Sequence, residues 1–366
     1  MSDTGTVLQV MCALPTYGVA EHRHGSMNIT VLGAGAWGTA LAIQLAGRHR
    51  VKLWARDAAQ VAAMRDSKAN ARYLPGFFFP SDLQPEADLD RALTGSDYII
   101  VATTVAGLRA TLRNVRASGS RAPVIWLCKG FEQPHARLPH EIFAEEMGDG
   151  GDSLRGAVLS GPSFAQEVAA GLPTALTLAA TDSALAVAAA QALHGPALRV
   201  YSHDDVIGVE TGGAVKNVIA IAAGVSDGLG LGLNARAALM TRGLAEMTRL
   251  GVALGAHVET FMGLAGVGDL ILTCTGDLSR NRRIGLALAR GETVAHAQAG
   301  LGHVAEGVFT AGEVLRRAAE HGIEAPITEA VCRVLADPQQ AGAVVQALLA
   351  RDPKPEHGAA TAATRR

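Results

Sequence analysis

Aromatic residues, cysteines and net charge are all scarce in this 366-residue sequence. Aromatic residues make up only 4% of the chain, so aliphatic side chains must fill its core. The four cysteines are far apart and form no CxxC or zinc-type spacing, which indicates reduced thiols in a cytoplasmic protein and no metal site. They are Cys12, Cys128, Cys274 and Cys332. A formal net charge of -2 gives no reason to expect nucleic acid or an anionic membrane surface as a partner.

Long uninterrupted apolar runs are missing as well. Glycine, polar or charged residues break each run before it reaches the length of a membrane span, so we predict no such span. Residues 1–26 lack a basic segment followed by a sustained apolar one, which argues against a secretory signal. They are either a disordered leader or an upstream start. The tail 351–366 has few core-forming residues and is also predicted to be disordered.

The remaining sequence is typical of a two-domain α/β enzyme, with 49% hydrophobic and 18% charged residues. From Asn28 to Tyr201, short continuous apolar runs alternate with helical patterns. Continuous runs indicate strands buried on both faces, so we predict a doubly wound, mostly parallel sheet domain over 27–203. The Gly-rich helical pattern that follows predicts an all-helical domain over 204–350. The predicted strands are Ile29–Leu32, Val51–Trp54, Tyr98–Ala102, Val124–Cys128, Ala157–Ser160, Thr174–Leu178 and Leu198–Tyr201.

A G-x-G-x-x-G pattern spans residues 33–38, with the sequence Gly-Ala-Gly-Ala-Trp-Gly. It follows the strand Asn28–Leu32 and opens a predicted helix over Thr39–Gly47, which is the context that makes the pattern informative. Gly33 would form the tight turn, Gly35 would let the backbone approach a pyrophosphate, and Gly38 would allow close helix–strand packing. The helix N-terminus would present free N–H groups to the phosphates. This segment predicts a dinucleotide site, so 27–203 is predicted to be a Rossmann-type dinucleotide-binding domain.

The second strand bears on the choice of dinucleotide. NAD-specific sites place a carboxylate about 20 residues after the first glycine to bind the ribose hydroxyls. That place falls on Leu53-Trp54-Ala55, and Arg56 comes next. An arginine at the end of this strand suits a 2′-phosphate, so we predict that NADP or NAD is the cofactor. The alternative is a solvated arginine that pairs with Asp57.

Lys216 is a single basic residue inside the apolar run Gly212–Gly224. Burial of an ammonium group costs several kcal/mol unless it is paired or its pKa falls, so this lysine is either matched by a carboxylate or able to exchange a proton. Helical spacing places it about a quarter turn from an apolar face, among small residues that leave room for another group to approach. The alternative is a core-edge lysine whose stem packs while its ammonium group reaches water.

Lys129 and Ser163 follow predicted strands. The carboxyl ends of parallel strands border the ligand crevice of an open sheet, so Lys129 is either a ligand contact or an ordinary loop lysine. After the next strand, Gly161 allows close approach of the backbone, and Ser163 either caps a helix or binds a ligand.

The helical region contains a candidate anion site at Ser279-Arg280-Asn281. A capping serine, free N–H groups and guanidinium groups together suit a phosphate, although a solvated basic first turn is the alternative. Asp269 is either an N-cap or a substrate ligand. Together these groups predict hydride transfer to or from a small phosphate-bearing alcohol or ketone, with Lys216 as general acid/base. The helical domain over 204–350 is therefore predicted to be the substrate and catalytic domain.

These segments resemble bacterial NAD(P)-dependent glycerol-3-phosphate dehydrogenase. The resemblance covers about residues 28–350, and its most specific segments are the long block around Lys216 and Ser-Arg-Asn. It implies that sn-glycerol 3-phosphate and dihydroxyacetone phosphate are interconverted in the cytoplasm to supply phospholipid synthesis. The segments that carry it are 33–38, Cys128-Lys129-Gly130, Ser160-Gly161-Pro162-Ser163-Phe164-Ala165, Glu210-Thr211-Gly212-Gly213-Ala214-Val215-Lys216-Asn217, Gly266-Val267-Gly268-Asp269 and Ser279-Arg280-Asn281.

The resemblance also implies a role for individual residues. Lys216 would be the proton acceptor, and Lys129 would also contact the substrate. The remaining substrate contacts would be Gly161, Ser163, Asp269, Ser279, Arg280 and Asn281. The dinucleotide contacts, besides the three glycines, would be Ala36, Trp37, Arg56, Lys129, Ala165, Arg280, Val304 and Glu306.

Two other readings remain open. One is a dehydrogenase of the same plan that acts on a 3-hydroxy acid or a sugar-phosphate acid. The other is a dinucleotide sensor without catalysis, which would need the Gly-rich turn but not Lys216 or Arg280. The oligomeric state is also open, and a homodimer is retained as a hypothesis.

Overall fold

The computed structural model describes residues 25–148, 155–301 and 305–351. Almost all of the predicted leader and tail therefore lie outside the described residues. Eight strands form one sheet in the order β3-β2-β1-β4-β5-β6-β7-β8. The strands are β1 (Asn28–Leu32), β2 (Arg50–Trp54), β3 (Leu83–Glu86), β4 (Tyr98–Val101), β5 (Val124–Trp126), β6 (Gly156–Ser160), β7 (Thr174–Ala179) and β8 (Leu198–His203).

Helices connect the strands and form the rest of the described chain. Those of the sheet region are α1 (Ala36–Ala46), α2 (Ala58–Ser67), α3 (Leu89–Leu93), α4 (Val105–Ala117), α5 (Pro139–Met147), α6 (Ala165–Ala169) and α7 (Ser183–Leu193). Those that follow are α8 (Val206–Gly228), α9 (Gly232–Ala253), α10 (Asp269–Thr275), α11 (Arg280–Ala289), α12 (Val294–Leu301), α13 (Glu306–Glu320), α14 (Pro326–Ala336) and α15 (Ala341–Leu349). A π-helical turn over Leu264–Gly268 leads directly into α10.

The predicted mostly parallel sheet is confirmed. Strands β1 to β6 run parallel, β7 is antiparallel to β6, and β8 is parallel to β7. The reversal at β7 and the edge strand β3 were not predicted. Pro85 lies within β3, and a proline that cannot donate to a ladder is tolerated at a sheet edge but weakens a sequence-based strand prediction.

The central strands are buried on both faces, as their continuous apolar runs predict. Val31 packs with Leu41 on one face of the sheet, while Ile99 packs with Leu108 on the other. Burial of each such side chain contributes about 1.5–3 kcal/mol to the stability of the fold. Because β1 pairs with both β2 and β4, the chain order reverses direction at β1 and leaves a crevice at the carboxyl ends of β1 and β4.

The described chain after His203 contains helices but no strand, and the division at 203/204 stays a prediction. The central helix α8 is buried on nearly every side rather than on one apolar face as predicted. Added Cβ atoms at Gly224 and Gly285 would lie 2.0 and 2.1 Å from backbone oxygens of the facing helix, so these two glycines let α8 and α11 pack very closely.

Helix α8 also bears on the predicted absence of a membrane span. Within the described residues it is the one helix with the length and hydropathy of a span, at 23 residues. Its apolar window is 89% buried inside the protein, as expected for the core helix of a packed domain. Its apolar composition is therefore explained by packing against the surrounding helices.

Candidate active site

A cavity of about 710 Å³ lies where the carboxyl ends of the strands meet the helical region. Most of the predicted site residues line it, although they come from widely separated segments. Those that line it are Gly35, Ala36, Trp37, Gly38, Lys129, Ser163, Lys216, Asp269, Ser279, Arg280, Asn281 and Glu306. Gly33, Arg56, Gly161 and Ala165 do not line it, and Val304 lies outside the described residues.

The Gly-rich turn has the geometry of a dinucleotide cradle. Gly33 adopts φ +122°, and an added Cβ there would lie 2.8 Å from the carbonyl oxygen of Ala102. An added Cβ at Gly38 would lie 2.1 Å from the carbonyl oxygen of Gly33, whereas at Gly35 it would meet no atom within 4 Å. Two glycines are therefore required by packing. The third keeps open the place that a pyrophosphate takes in such turns.

Helix α1 points its N-terminus at this cavity. Gly35 is its N-cap, and no described side chain bonds to the free N–H groups of the first turn. Such an end attracts anions because its N–H groups and the helix dipole both present partial positive charge. The turn and the helix end therefore fit a dinucleotide.

Asp269 links the two lysines at the centre of the cavity. Lys216 is 7% exposed, and its Nζ donates to Asp269 Oδ1 at 2.5 Å and to Thr273 Oγ1 at 3.0 Å. Lys129 Nζ donates to the other carboxylate oxygen, Oδ2, at 2.7 Å. The side chain of Asp269 is 1% exposed, so one buried carboxylate holds two ammonium groups.

Burial governs the protonation of this cluster. It lowers the pKa of Lys216 to about 8, although the Asp269 carboxylate opposes the shift and the Lys129 charge adds to it. Burial alone would raise the pKa of Asp269, but the two ammonium groups outweigh it and hold that pKa below its ordinary value. Burial also raises the pKa of Glu306, against the nearby positive charges. Lys216 can therefore gain or lose a proton near neutral pH.

Part of the room predicted around Lys216 is occupied by the protein itself, and the rest opens into the cavity. An added Cβ at Gly212 would lie 2.4 Å from the backbone oxygen of Ala265, in the π-helical turn. At Gly213 it would lie 3.1 Å from Oγ of Ser160 and 3.4 Å from Cγ of Lys129. Gly212 therefore admits the segment before Asp269, and Gly213 leaves room for Ser160 and the stem of Lys129.

The loop after β6 joins the lysine cluster to the Gly-rich turn. Ser163 does not cap α6, whose N-cap is Phe164. The indole N–H of Trp37 instead donates to Ser163 Oγ at 3.0 Å, and that hydroxyl donates to the carbonyl oxygen of Gly161 at 3.2 Å. Lys129 Nζ donates to the same carbonyl at 3.3 Å. Gly161 thus contributes through its backbone.

The start of α11 forms the opposite wall of the cavity. Ser279 is the N-cap predicted from the sequence, and its Oγ accepts from the N–H of Arg282 at 3.3 Å. Arg280 is exposed at the first position of the helix and lines the cavity. The amide of Asn281 is buried, where it donates to Asn217 Oδ1 at 2.9 Å and accepts from the N–H of Gly307 at 3.0 Å.

A second buried carboxylate fixes β5 against α8 behind the cavity. Glu210 Oε1 accepts from the indole N–H of Trp126 at 2.7 Å and from the backbone N–H of His140 at 3.0 Å. Burial alone would lower the pKa of His140, but Glu210 outweighs it and raises that pKa. Because β5 leads to Lys129 and α8 carries Lys216, this contact helps to set the spacing of the two lysines.

The cavity is also lined by residues that sequence reasoning did not select, among them Thr273, Asn217, Arg72 and Tyr73. A signal existed for Thr273, because it lies four residues after Asp269 on one helix and therefore shares its face. Asn217 follows Lys216 directly in a motif that was already prominent. No pattern in the sequence distinguished Arg72 and Tyr73, which lie in the connection between α2 and β3.

Comparisons with known proteins agree with this geometry. The family described as NAD-dependent glycerol-3-phosphate dehydrogenase matches through its N-terminus over residues 28–186 and through its C-terminus over residues 205–346. The glycerol-3-phosphate dehydrogenase [NAD(P)+] of Dechloromonas aromatica is 56% identical over 330 residues, 90% of this chain and 99% of that protein. The protein of the same name from Thiobacillus denitrificans is 57% identical, over 90% of this chain and 100% of that protein.

A solved structure is also similar. The glycerol-3-phosphate dehydrogenase of Coxiella burnetii is 45% identical, covers 89% of this chain and 99% of its own, and superposes with a TM-score of 0.83. Fold, cavity and comparisons together define a dinucleotide-dependent oxidoreductase. The chain belongs to the NAD-dependent glycerol-3-phosphate dehydrogenase family.

Proposed function

We propose that this protein interconverts sn-glycerol 3-phosphate and dihydroxyacetone phosphate by hydride transfer with NAD or NADP, and that Lys216 moves the accompanying proton. The names of its close relatives support the reaction. The observation that supports the proton role is the buried Asp269 carboxylate, which holds Lys216 and Lys129 in the cavity that the Gly-rich turn also lines.

The dinucleotide belongs on the Gly-rich turn. Gly33, Gly35 and Gly38 shape that turn, and the N-terminus of α1 neutralises part of the pyrophosphate charge. When bound, the dinucleotide supplies or accepts the hydride. The further contacts proposed for it are Ala36, Trp37, Arg56, Lys129, Ala165, Arg280, Val304 and Glu306.

The substrate phosphate belongs at the start of α11. Ser279, Arg280 and Asn281 place a hydroxyl, a guanidinium group, backbone N–H groups and the helix dipole on one wall of the cavity. Charge-assisted hydrogen bonds to a phosphate are about twice as strong as neutral ones. In this position the phosphate orients the three-carbon chain toward the lysine cluster.

Lys216 then handles the proton. In the neutral form it accepts the proton of the alcohol as the hydride leaves, and in the protonated form it returns that proton to the carbonyl oxygen. Asp269 holds the amine in place and limits the fall of its pKa. Lys129 donates to the other carboxylate oxygen of Asp269. From this position its charge polarises the carbonyl group of the ketone substrate. Gly161 and Ser163 complete the proposed substrate contacts.

We also propose a cytoplasmic location, a homodimer and a role in supplying phospholipid synthesis. The free cysteines Cys128, Cys274 and Cys332 support a reducing compartment. Sedimentation of the purified protein would measure its oligomeric state and so test the proposed homodimer.

Initial rates with dihydroxyacetone phosphate and either NADH or NADPH test the reaction. Turnover with at least one of them is expected, and the matched control is a set of 2-keto and 3-keto acids, the oxidised forms of the corresponding hydroxy acids, under the same conditions. Activity on the acids alone would identify a different dehydrogenase of the same fold. Binding of the dinucleotide without turnover of any of these substrates would identify a sensor.

A further inference from the structure

The connection after α2 is tied to the Gly-rich turn. The carbonyl oxygen of Ala34 accepts from the side-chain amides of Gln60 at 3.0 Å and Asn70 at 2.9 Å. Asn70 also donates to Thr39 Oγ1 in α1 at 2.8 Å and is buried. These bonds fix the chain just before Arg72 against the turn. As a result, Arg72 lines the same cavity as the turn.

Arg72 is also beside the end of β2. Its Nη1 lies 3.9 Å from Asp57 Oδ2, and its guanidinium carbon lies 5.1 Å from the centre of the Tyr73 ring. The Arg72 side chain is 66% exposed, and an exposed ion pair of this length contributes little. Asp57 and the Tyr73 ring therefore keep the guanidinium group of Arg72 close to the end of β2, but the group can still turn toward a stronger anion.

The adenosine ribose of a dinucleotide lies between the Gly-rich turn and the carboxyl end of the second strand. Arg72 reaches both of these features, whereas Arg56 is exposed and does not line the cavity. We propose that Arg72, rather than Arg56, recognises the 2′-phosphate of NADP and so determines how well the enzyme accepts NADP relative to NAD. The inference rests on the proposed use of a nicotinamide dinucleotide.

The planar guanidinium group suits this role because it donates two parallel hydrogen bonds to a phosphate. Without a 2′-phosphate, Arg72 keeps its contacts with Asp57 and Tyr73, so NAD loses nothing by its presence. With a 2′-phosphate, Arg72 offsets the charge of Asp57, which would otherwise repel the ligand. Removal of the guanidinium group should therefore affect NADP selectively.

Calorimetric titration of the full chain with adenosine 2′,5′-bisphosphate and with adenosine 5′-monophosphate tests this directly, without turnover. For Arg72→Gln we expect the affinity for the bisphosphate to fall about 10- to 100-fold, while that for the monophosphate changes less than about twofold. Arg91→Gln, at an exposed arginine outside the cavity lining, is the matched control and should leave both affinities near those of the unaltered protein. Arg56→Gln is measured beside it, and its loss of affinity for the bisphosphate should be smaller than that of Arg72→Gln. Arg72→Lys should keep part of the preference, since it keeps the charge but not the paired donors.

Several results would overturn the assignment. A selective loss in Arg56→Gln alone would give the role to Arg56. An equal loss for both ligands in Arg72→Gln would place the guanidinium group on the 5′-phosphate or the adenosine. Equal affinity of the unaltered protein for the two ligands would remove 2′-phosphate recognition altogether. As a control, unchanged melting temperatures would show that the variants at Arg72 and Arg56 are folded.

Failure of the proposed reaction would give a different pattern. If the unaltered protein binds both nucleotides but reduces no dihydroxyacetone phosphate, the proposed reaction is wrong. The titrations alone then decide the role of Arg72. If turnover is normal and the titrations show no selective loss in Arg72→Gln, the reaction stands and the assignment of Arg72 falls. Rates of Arg72→Gln with NADPH and NADH provide a second measure, with the loss expected for NADPH.

Discussion

The two ends of the cavity are built in different ways. The nucleotide end is a turn of six consecutive residues whose backbone does the work. The lysine end is assembled from side chains far apart in the chain, since Asp269 is separated from Lys216 by 53 positions and from Lys129 by 140. The first is a property of local sequence, and the second exists only once the strands and helices have packed together. The two ends should therefore respond differently to substitution.

The largest effect is expected from breaking the lysine end. Lys216→Met keeps most of the length of the side chain but removes the amine that is proposed to move the proton, so kcat should fall about 10²- to 10⁴-fold. Affinity for the dinucleotide, measured by titration, should stay within about twofold because the Gly-rich turn is untouched. A variant that retains normal turnover would assign proton transfer to another group.

The next largest effect is expected at the wall opposite the turn. Arg280→Ala removes an exposed guanidinium group from the start of α11, so the Michaelis constant for dihydroxyacetone phosphate should rise about 10- to 100-fold. Arg280 is also proposed to contact the dinucleotide. Arg283→Ala serves as the control, because Arg283 is an exposed arginine outside the cavity lining. An unaltered Michaelis constant would contradict the phosphate site.

The pH dependence of the two reaction directions sharpens the comparison further. Lys216 has a pKa of about 8, and the groups that face it are Asp269, Lys129 and Glu306. The proposed oxidation needs the neutral amine of the free enzyme, so its kcat/KM should rise about tenfold per pH unit below that pKa and level off above it. The proposed reduction needs the ammonium form, so its kcat/KM should decline above the same pKa. Profiles with no inflection near this pH in either direction would separate Lys216 from the proton transfer.

The smallest effect on catalysis is expected at the nucleotide end. Gly35→Ala places a methyl group in open space on the cavity side, so the Michaelis constant for the coenzyme should rise about tenfold with little change in melting temperature. Gly38→Ala is the matched control, because its Cβ would lie 2.1 Å from a backbone oxygen and should destabilise the fold instead. Equal loss of stability in both variants would contradict the cradle geometry.

This difference also explains what could be predicted from the sequence. The Gly-rich turn and the helix cap at Ser279 depend on neighbouring residues, so their patterns were sufficient. The contact between Lys216 and Asp269 was only partly predictable from the sequence. From the sequence, Asp269 could be either an N-cap or a substrate ligand. Only the packing of α10 on α8 brings its carboxylate to both lysines.

Other features depended on contacts that no local pattern encodes. Arg72 was not selected because it lies in an irregular connection, and its place beside the turn depends on the bonds of Asn70. Helix α8 was predicted to have one apolar face, but its glycines and alanines let neighbours pack on nearly every side. The reversal at β7 leaves no periodicity signal, because strand direction does not alter the pattern of buried residues.

The hydrogen bond between the Trp37 indole and Ser163 holds the indole ring in the wall of the cavity. The chain has three tryptophans, and Trp37 is the one that lines the cavity. A reduced nicotinamide absorbs light in the range where indole emits, so coenzyme that enters beside this ring should quench its fluorescence. The protein therefore contains its own optical probe, and occupancy can be followed without any label.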